Sequence, residues 1–225
     1  MTRRLRGPAR RLATGQGMVE FAIVVPVLMF LILSVVQLVL LYRAKATVDY
    51  AALEAARAGA VHGASKDKIE AGFARGITPL FATDSSVGGA MAAWGRAKGE
   101  TWRYADIEII SPSRAAWNEF RELQHDGRYA LPNDSLAFRS NRVGRSGVNV
   151  QDANVLKIKV TYRYPLVVPF VGWVLKGKSE RIKVDSPVER ARMQALMYDD
   201  RLPIESYAIV RMQSPIGERA AQRLP

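Results

Sequence analysis

The chain's 225 residues carry 33 basic against 21 acidic side chains, a formal net charge of +12, with two histidines and no cysteine. Lack of cysteine excludes a disulfide framework and thiol catalysis, and it speaks against a structural zinc site. An apolar share of 48% with four tryptophans is enough to build a core.

The net charge suggests a nucleic-acid binder only until it is divided along the chain. Arg3, Arg4, Arg6, Arg10 and Arg11 stand in the first 15 residues with no acid, leaving 28 basic against 21 acidic residues for the rest, a surplus of 7. After Arg11 no block of five like charges occurs. Dispersed positive charge reads as a solvated surface, and no nucleic-acid partner is expected.

Residues 1–15 are basic, contain Pro8 and lack apolar periodicity, so they read as a cytoplasmic leader. Residues 21–42, opened by Phe21 and closed by Tyr42, hold no formal charge. As a helix they extend about 33 Å, enough to cross a hydrocarbon core of about 30 Å. The run is longer than the apolar part of a cleaved secretory signal and has no small-residue exit, so an uncleaved anchor is expected. Five basic residues before the span, against Arg43, Lys45 and Arg57 in the 15 after it, set the N-terminus in the cytoplasm. The remainder, residues 43–225, is then exported.

Pro26 removes one hydrogen bond inside the span, which membrane helices tolerate. Gln37 is the only amide in the run. It serves either as a hydrogen-bonding contact to another helix or as a tolerated polar residue. Residues 43–61 contain no proline and many good helix formers, so the helix is expected to continue into water as one rod of about 40 residues. Ala51, Ala52, Ala55, Ala56 and Gly59 form a strip of small side chains that lets a backbone or a sheet approach closely. Glu54 and Arg57 stand at ion-pair spacing on the opposite side. Gly59, Gly63 and Ser65 end the helix.

A short helix is predicted over 65–75 with Ser65 as its cap, and a weak helical pattern over 85–98 around Met91 and Trp94. Residues 101–110 read as a strand, with Ala105, Ile107 and Ile109 alternating with Asp106 and Glu108. Residues 113–124 read as a helix with Trp117, Phe120 and Leu123 on one side. Residues 125–152, rich in Gly, Asn, Asp, Ser and Arg, are predicted as a long exposed loop.

Residues 154–164 form the clearest strand: Leu156, Ile158, Val160, Tyr162 and Tyr164 on one face, and Lys157, Lys159, Thr161 and Arg163 on the other. Such alternation suits an antiparallel sheet with one wet face. The apolar run 165–175, broken by Pro169 and Gly172, is too short to span a membrane. Core packing is the expectation, with contact at a membrane surface as the alternative. Ser186-Pro187-Val188-Glu189 is a capping box opening a helix to about Tyr198, and 204–212 reads as a last strand before a polar tail.

Chemistry-bearing constellations are absent from the sequence. His62 and His125 have no metal-ligand spacing, and neither H-E-x-x-H nor G-x-S-x-G occurs. Gly15-x-Gly17 follows no strand and is not a phosphate loop. Asp199-Asp200 reads as a turn, and Asp106 with Glu108 as a solvated face. No enzyme activity, metal, cofactor or small-molecule substrate is expected.

Glu20 is the exception, because an acid at the edge of a membrane span costs free energy. A cut after Gly15 would give Gln16 a new α-amine and make Glu20 the fifth residue, about 6 Å away along a helix. In low dielectric the carboxylate would neutralise that amine, or a neighbouring subunit's, strongly.

Gly15-Gln16-Gly17-Met18-Val19-Glu20-Phe21, followed by the apolar helix, resembles the class III signal of type IV pilin-like proteins. With the continuation VDYAALEAARAGAV it is similar, over about residues 15–61, to the TadE-like pseudopilins of the tight-adherence (Flp) pilus assembly system. The resemblance implies a prepilin peptidase cut between Gly15 and Gln16, with Glu20 and Phe21 as the recognition and assembly pair. Gly17 would place Glu20 third and is set aside as a cut site. The exported domain is far larger than a major Flp pilin, so a minor assembly component is implied rather than the bulk fibre subunit.

The expectation is therefore an α+β chain in four parts: a leader (1–15), a transmembrane helix (16–42), its exported continuation (43–62), and a pilin-like domain (63–225) with a small antiparallel sheet and short helices. By the resemblance its surroundings are the bacterial inner membrane, with the domain periplasmic or in the pilus. Its partners are the prepilin peptidase, other pilin-like subunits and the Tad assembly platform. The alternative is an unprocessed, single-pass anchored binding module working through the 125–152 loop or the 165–175 run.

Overall fold

One helix, α1, runs unbroken over Gln16–Val61, 46 residues or about 69 Å, in a computed structural model that describes residues 16–168 and 201–225. The helix continues through Pro26. Its first half lies almost bare, whereas Ala44, Val48, Ala51, Ala52, Ala55, Ala56 and Ala60 are completely buried. The ion pair on its surface joins Lys45 to Asp49 at 2.5 Å, not Glu54 to Arg57 as the spacing suggested. The Lys45–Asp49 pair is exposed, where such contacts contribute little. Past Val61 the chain reverses at Gly63 (φ +60°), where a Cβ would stand 2.8 Å from the Pro215 carbonyl oxygen, so only glycine fits.

Helix α2 (Lys66–Ile77) turns back along α1. Ser65 occupies its N-cap position but makes no side-chain capping bond. Gly72 and Gly76 of α2 press on the alanine strip: a Cβ at Gly72 would lie 2.9 Å from Ala58 Cβ and 3.0 Å from Ala55 Cα. On the sheet side, a Cβ at Gly59 would meet Leu156 Cδ2 at 2.8 Å and Ile69 Cγ1 at 2.7 Å. The small residues thus admit both a helix backbone and a sheet.

After a 3-10 turn at Thr78–Leu80 comes α3 (Val87–Tyr104), capped by the Ser86 hydroxyl, which accepts from the Gly89 N–H. The strand expected from residue 101 begins only at β1 (Ala105–Ser111). The helix holds residues 101–104, and Thr101 is buried with its hydroxyl bonded to the Ala97 carbonyl at 2.8 Å. Next, α4 (Arg114–Phe120) is shorter than the predicted helix. Leu123 leaves the Trp117 side to join β2 (Glu122–Leu123) and lies exposed.

The predicted loop is not simply exposed. It contains β3 (Tyr129–Leu131), a 3-10 turn (Leu136–Phe138) and the start of α5 (Val150–Ala153), and it buries Ala130, Leu131, Leu136 and Val150. Strand β4 (Val155–Pro165) follows, with Leu156, Ile158, Val160 and Tyr162 inward. Strand β5 (Arg201–Arg211) pairs with it along its full length, Val155 opposite Arg211 and Pro165 opposite Arg201. Beyond it lie β6 (Ile216–Gly217) and α6 (Glu218–Ala221). The stretch read as a polar tail is folded in: Leu224 is buried and the Pro225 carbonyl accepts from the Arg114 N–H at 2.7 Å.

Among the described residues the strands form two antiparallel sheets, β1-β4-β5 and β2-β3-β6. The fold is α+β, with the larger sheet and α2 closing around the upper half of α1. The residues 169–175 of the apolar run, the capping box at Ser186 and Asp199-Asp200 lie outside the described residues.

Candidate membrane anchor and assembly helix

The lower half of α1 is the one helix among the described residues long and apolar enough to cross a membrane, and hardly any of it is covered by the other described residues. Met18, Val19, Phe21, Ile23 and Val24 are all well exposed. Burying such a surface is favourable at roughly 25 cal/mol per Å², and a lipid core is the environment that accepts it all round a helix. The geometry fits a single-pass membrane anchor.

At the helix entrance, Gln16 opens α1 and Glu20 stands four residues on, which puts the two positions on one face. A Cβ at Gly17 would meet nothing within 4 Å among the described residues. Phe21, beside Glu20, is exposed. Gly15 lies outside the described residues. The structure therefore brings Gln16, Glu20 and Phe21 into the first turn and a half of one helix.

Three contacts fasten the domain along α1. Near its upper end, the Ala60 carbonyl accepts from the Gln213 N–H (3.0 Å) and the Ser214 hydroxyl (2.9 Å). In the middle, Lys45 Nζ donates to the Glu205 carbonyl at 2.8 Å. At the lower end, Gln37 Oε1 accepts from the backbone N–H of Val168 (2.9 Å) and Val167 (3.2 Å), and Gln37 is fully buried. The Gln37 carbonyl oxygen is therefore taken up within the chain itself. It holds the residues just past β4 against the chain's own helix, a contact that no local pattern in the sequence announces.

The sheet end beside Gln37 carries a polar cluster. Arg201 Nη1 donates to Glu100 Oε2 (2.8 Å) and to the Arg163 carbonyl (3.2 Å), while its guanidinium lies 3.4 Å from the Tyr104 ring centre. Burial, with Glu100 adding, pushes the Tyr162 hydroxyl above its usual phenol range. Higher on the sheet, the Lys159 ammonium sits 2.9 Å from Glu205. That contact holds the Glu205 carboxyl below its ordinary value and raises Lys159.

The remaining candidates carry no assembled chemistry. His62 Nδ1 lies 2.8 Å from the Ala58 carbonyl and finishes α1. Asp106 and Glu108 line the polar side of β1, Glu108 opposite Lys159. No group of three or more His, Cys, Asp or Glu is placed to hold a metal among the described residues. The loop region frames an open cleft of about 550 Å³ beside Phe120, Arg121, Arg139, Arg142 and Arg145. Within it Arg139 is taken up by Glu122 at 2.5 Å, and Glu119 accepts from the Arg145 and Ser146 N–H groups.

These features define an α+β protein built on one continuous helix, its lower half a membrane anchor and its upper half a packing core. Residues 15–57, the apolar half of α1 and most of its alanine strip, match the family described as TadE-like protein. The match and the apolar helix together fit a membrane-anchored protein related to the Tad pilus system. No curated protein and no solved structure matches the chain.

Proposed function

We propose that the chain is a minor pseudopilin, an assembly component of a Tad (Flp) pilus rather than an enzyme. In this reading the lower half of α1 sits in the inner membrane with the N-terminus cytoplasmic, and the α+β domain is periplasmic. A prepilin peptidase removes residues 1–15 between Gly15 and Gln16, with Glu20 and Phe21 as the recognition pair. Glu20 then neutralises the new amine of Gln16, or that of a neighbouring pilin-like subunit, during assembly on the Tad platform. The observation that carries the reading is the coincidence of the TadE-like match over 15–57 with the placing of Gln16, Glu20 and Phe21 in the first turn and a half of α1.

Intact-mass measurement of protein purified from cells with an active prepilin peptidase tests it. The expected product begins at Gln16, and Glu20→Ala lowers its share at least several-fold. A chain still beginning at Met1, or processing indifferent to Glu20→Ala, sinks the processing step. A second reading, an unprocessed anchored binding module, draws on the arginine-lined cleft. Loss of function on deleting residues 140–147, with piliation intact, would favour it.

A further inference from the structure

The three fastenings between α1 and the sheet give the height of the domain above the membrane. Strand β5 climbs with α1, from Arg201 near Gln37, through Glu205 at Lys45, to the Ala60 contacts just beyond its end. Gln37 lies five residues inside the charge-free run that ends at Tyr42, about 7.5 Å along the axis. The headgroup layer on each side of a bilayer is only about 5–8 Å thick. With residues 21–42 spanning the hydrocarbon, the backbone N–H groups of Val167 and Val168 that bind Gln37 are therefore below the boundary. Sliding the span toward the N-terminus brings them up to the boundary but draws Glu20 inward, where an acid costs about 2.5–3.5 kcal/mol at the centre.

What this end of the sheet displays suits that depth. Val167 is 65% exposed and Leu166 is half-buried. Trp102 is 77% exposed and stands in the last turn of α3, immediately before Ala105, which pairs with Tyr162 near the end of β4. Tyr104 lies under Arg201, opposite Pro165, at the same end. Tryptophan with aliphatic side chains and arginine nearby is the composition of a membrane–water interface. The Val167 and Val168 N–H groups, which would be costly to leave unpaired there, are tied to Gln37.

We propose that this end of the domain, Leu166, Val167 and Trp102 about the Gln37 clasp, is a lipid-contact surface seated in the bilayer boundary that α1 crosses. The inference rests on the anchor reading. The domain is then not tethered above the membrane but set at fixed depth against it, and its orientation to a neighbouring subunit is restricted before assembly begins.

The natural absence of cysteine permits a direct test on the full chain in phosphatidylcholine–phosphatidylglycerol proteoliposomes. Single variants Val167→Cys, Leu28→Cys and Tyr207→Cys carry a small thiol-linked fluorophore, and lipids brominated near or far from the headgroup serve as quenchers. Position 28 should be quenched by deep bromines, position 167 by shallow ones at least threefold more than position 207. Quenching at 167 no greater than at 207 overturns the proposal, whether the thiol reacts freely in water or is shielded by a second copy of the chain. If position 28 is not quenched either, the anchor reading falls first and this one with it.

Discussion

Substituting Gly76→Ala tests whether backbone contact between α1 and α2 sets the core. A helical Gly→Ala change by itself gains about 1 kcal/mol. Here the new Cβ would land 2.6 Å from Ala51 Cβ and 3.3 Å from Ala51 N, and it would also overlap the Ala51 Cα. None of these atoms can rotate away, and overpacking of this kind costs about 1–3 kcal/mol or more. Because the clash is with backbone, the upper part of that range, about 2–3 kcal/mol, applies, and the net destabilisation of about 1–2 kcal/mol should lower the thermal midpoint by about 2–8 °C for a chain of this size. Gly95→Ala in α3 is the control, because a Cβ there meets nothing within 4 Å. It should raise the midpoint by about 1–4 °C. Near-ultraviolet circular dichroism of the full chain in detergent micelles follows the domain's packing. A Gly76→Ala protein as stable as Gly95→Ala would refute the idea that α1 and α2 touch through their backbones.

Gln37→Leu leaves the Val167 and Val168 N–H groups without their acceptor, at about 1–3 kcal/mol for the buried Val168 donor. Hydrogen exchange of a peptide covering 160–168 should quicken by tenfold or more, and unchanged exchange would contradict the clasp. The Lys159–Glu205 pair makes stability pH-dependent at both ends. Glu205 titrates below its ordinary value of 4.5, so its contribution is present above that value and is lost as pH falls through the lowered one. Lys159 titrates above 10.5, so its contribution is present below that value and is lost as pH rises through the raised one. Glu205→Gln should flatten the thermal-midpoint profile below about pH 4.5, and an unaltered acid limb would show that the pair is uncoupled from folding.

Where the sequence was legible, it was because the pattern is local. The strict alternation from Val155 to Tyr162 can bury only one face, and the structure buries that face. Boundaries failed where two elements compete for the same residues. Residues 101–104 have strand-like composition, yet α3 keeps them, with Thr101 buried and its hydroxyl satisfied by the Ala97 carbonyl one turn back. Leu123 fits the period of α4 but crosses into β2 to pair with Tyr129. The Gly72–Gly76 spacing was a usable signal for what faces the alanine strip, because both glycines fall on one side of α2.

The sequence alone determined that one uncharged stretch must lie in an apolar medium, that the helix continues past it as a rod of small residues, and that Glu20 stands at its entrance. Composition and period are enough for those statements, since they depend on neighbours within a few residues. Only the tertiary structure decided what Gln37 accepts from and which end of the domain stands beside the anchor. Its partners are 130 and 131 residues away along the chain, and contacts at that separation are made by the packing of β4 and β5 on α1. A single amide inside an apolar run thus looks like an exception in the sequence and becomes, once the sheet is in place, the acceptor that fixes one end of the domain to its anchor.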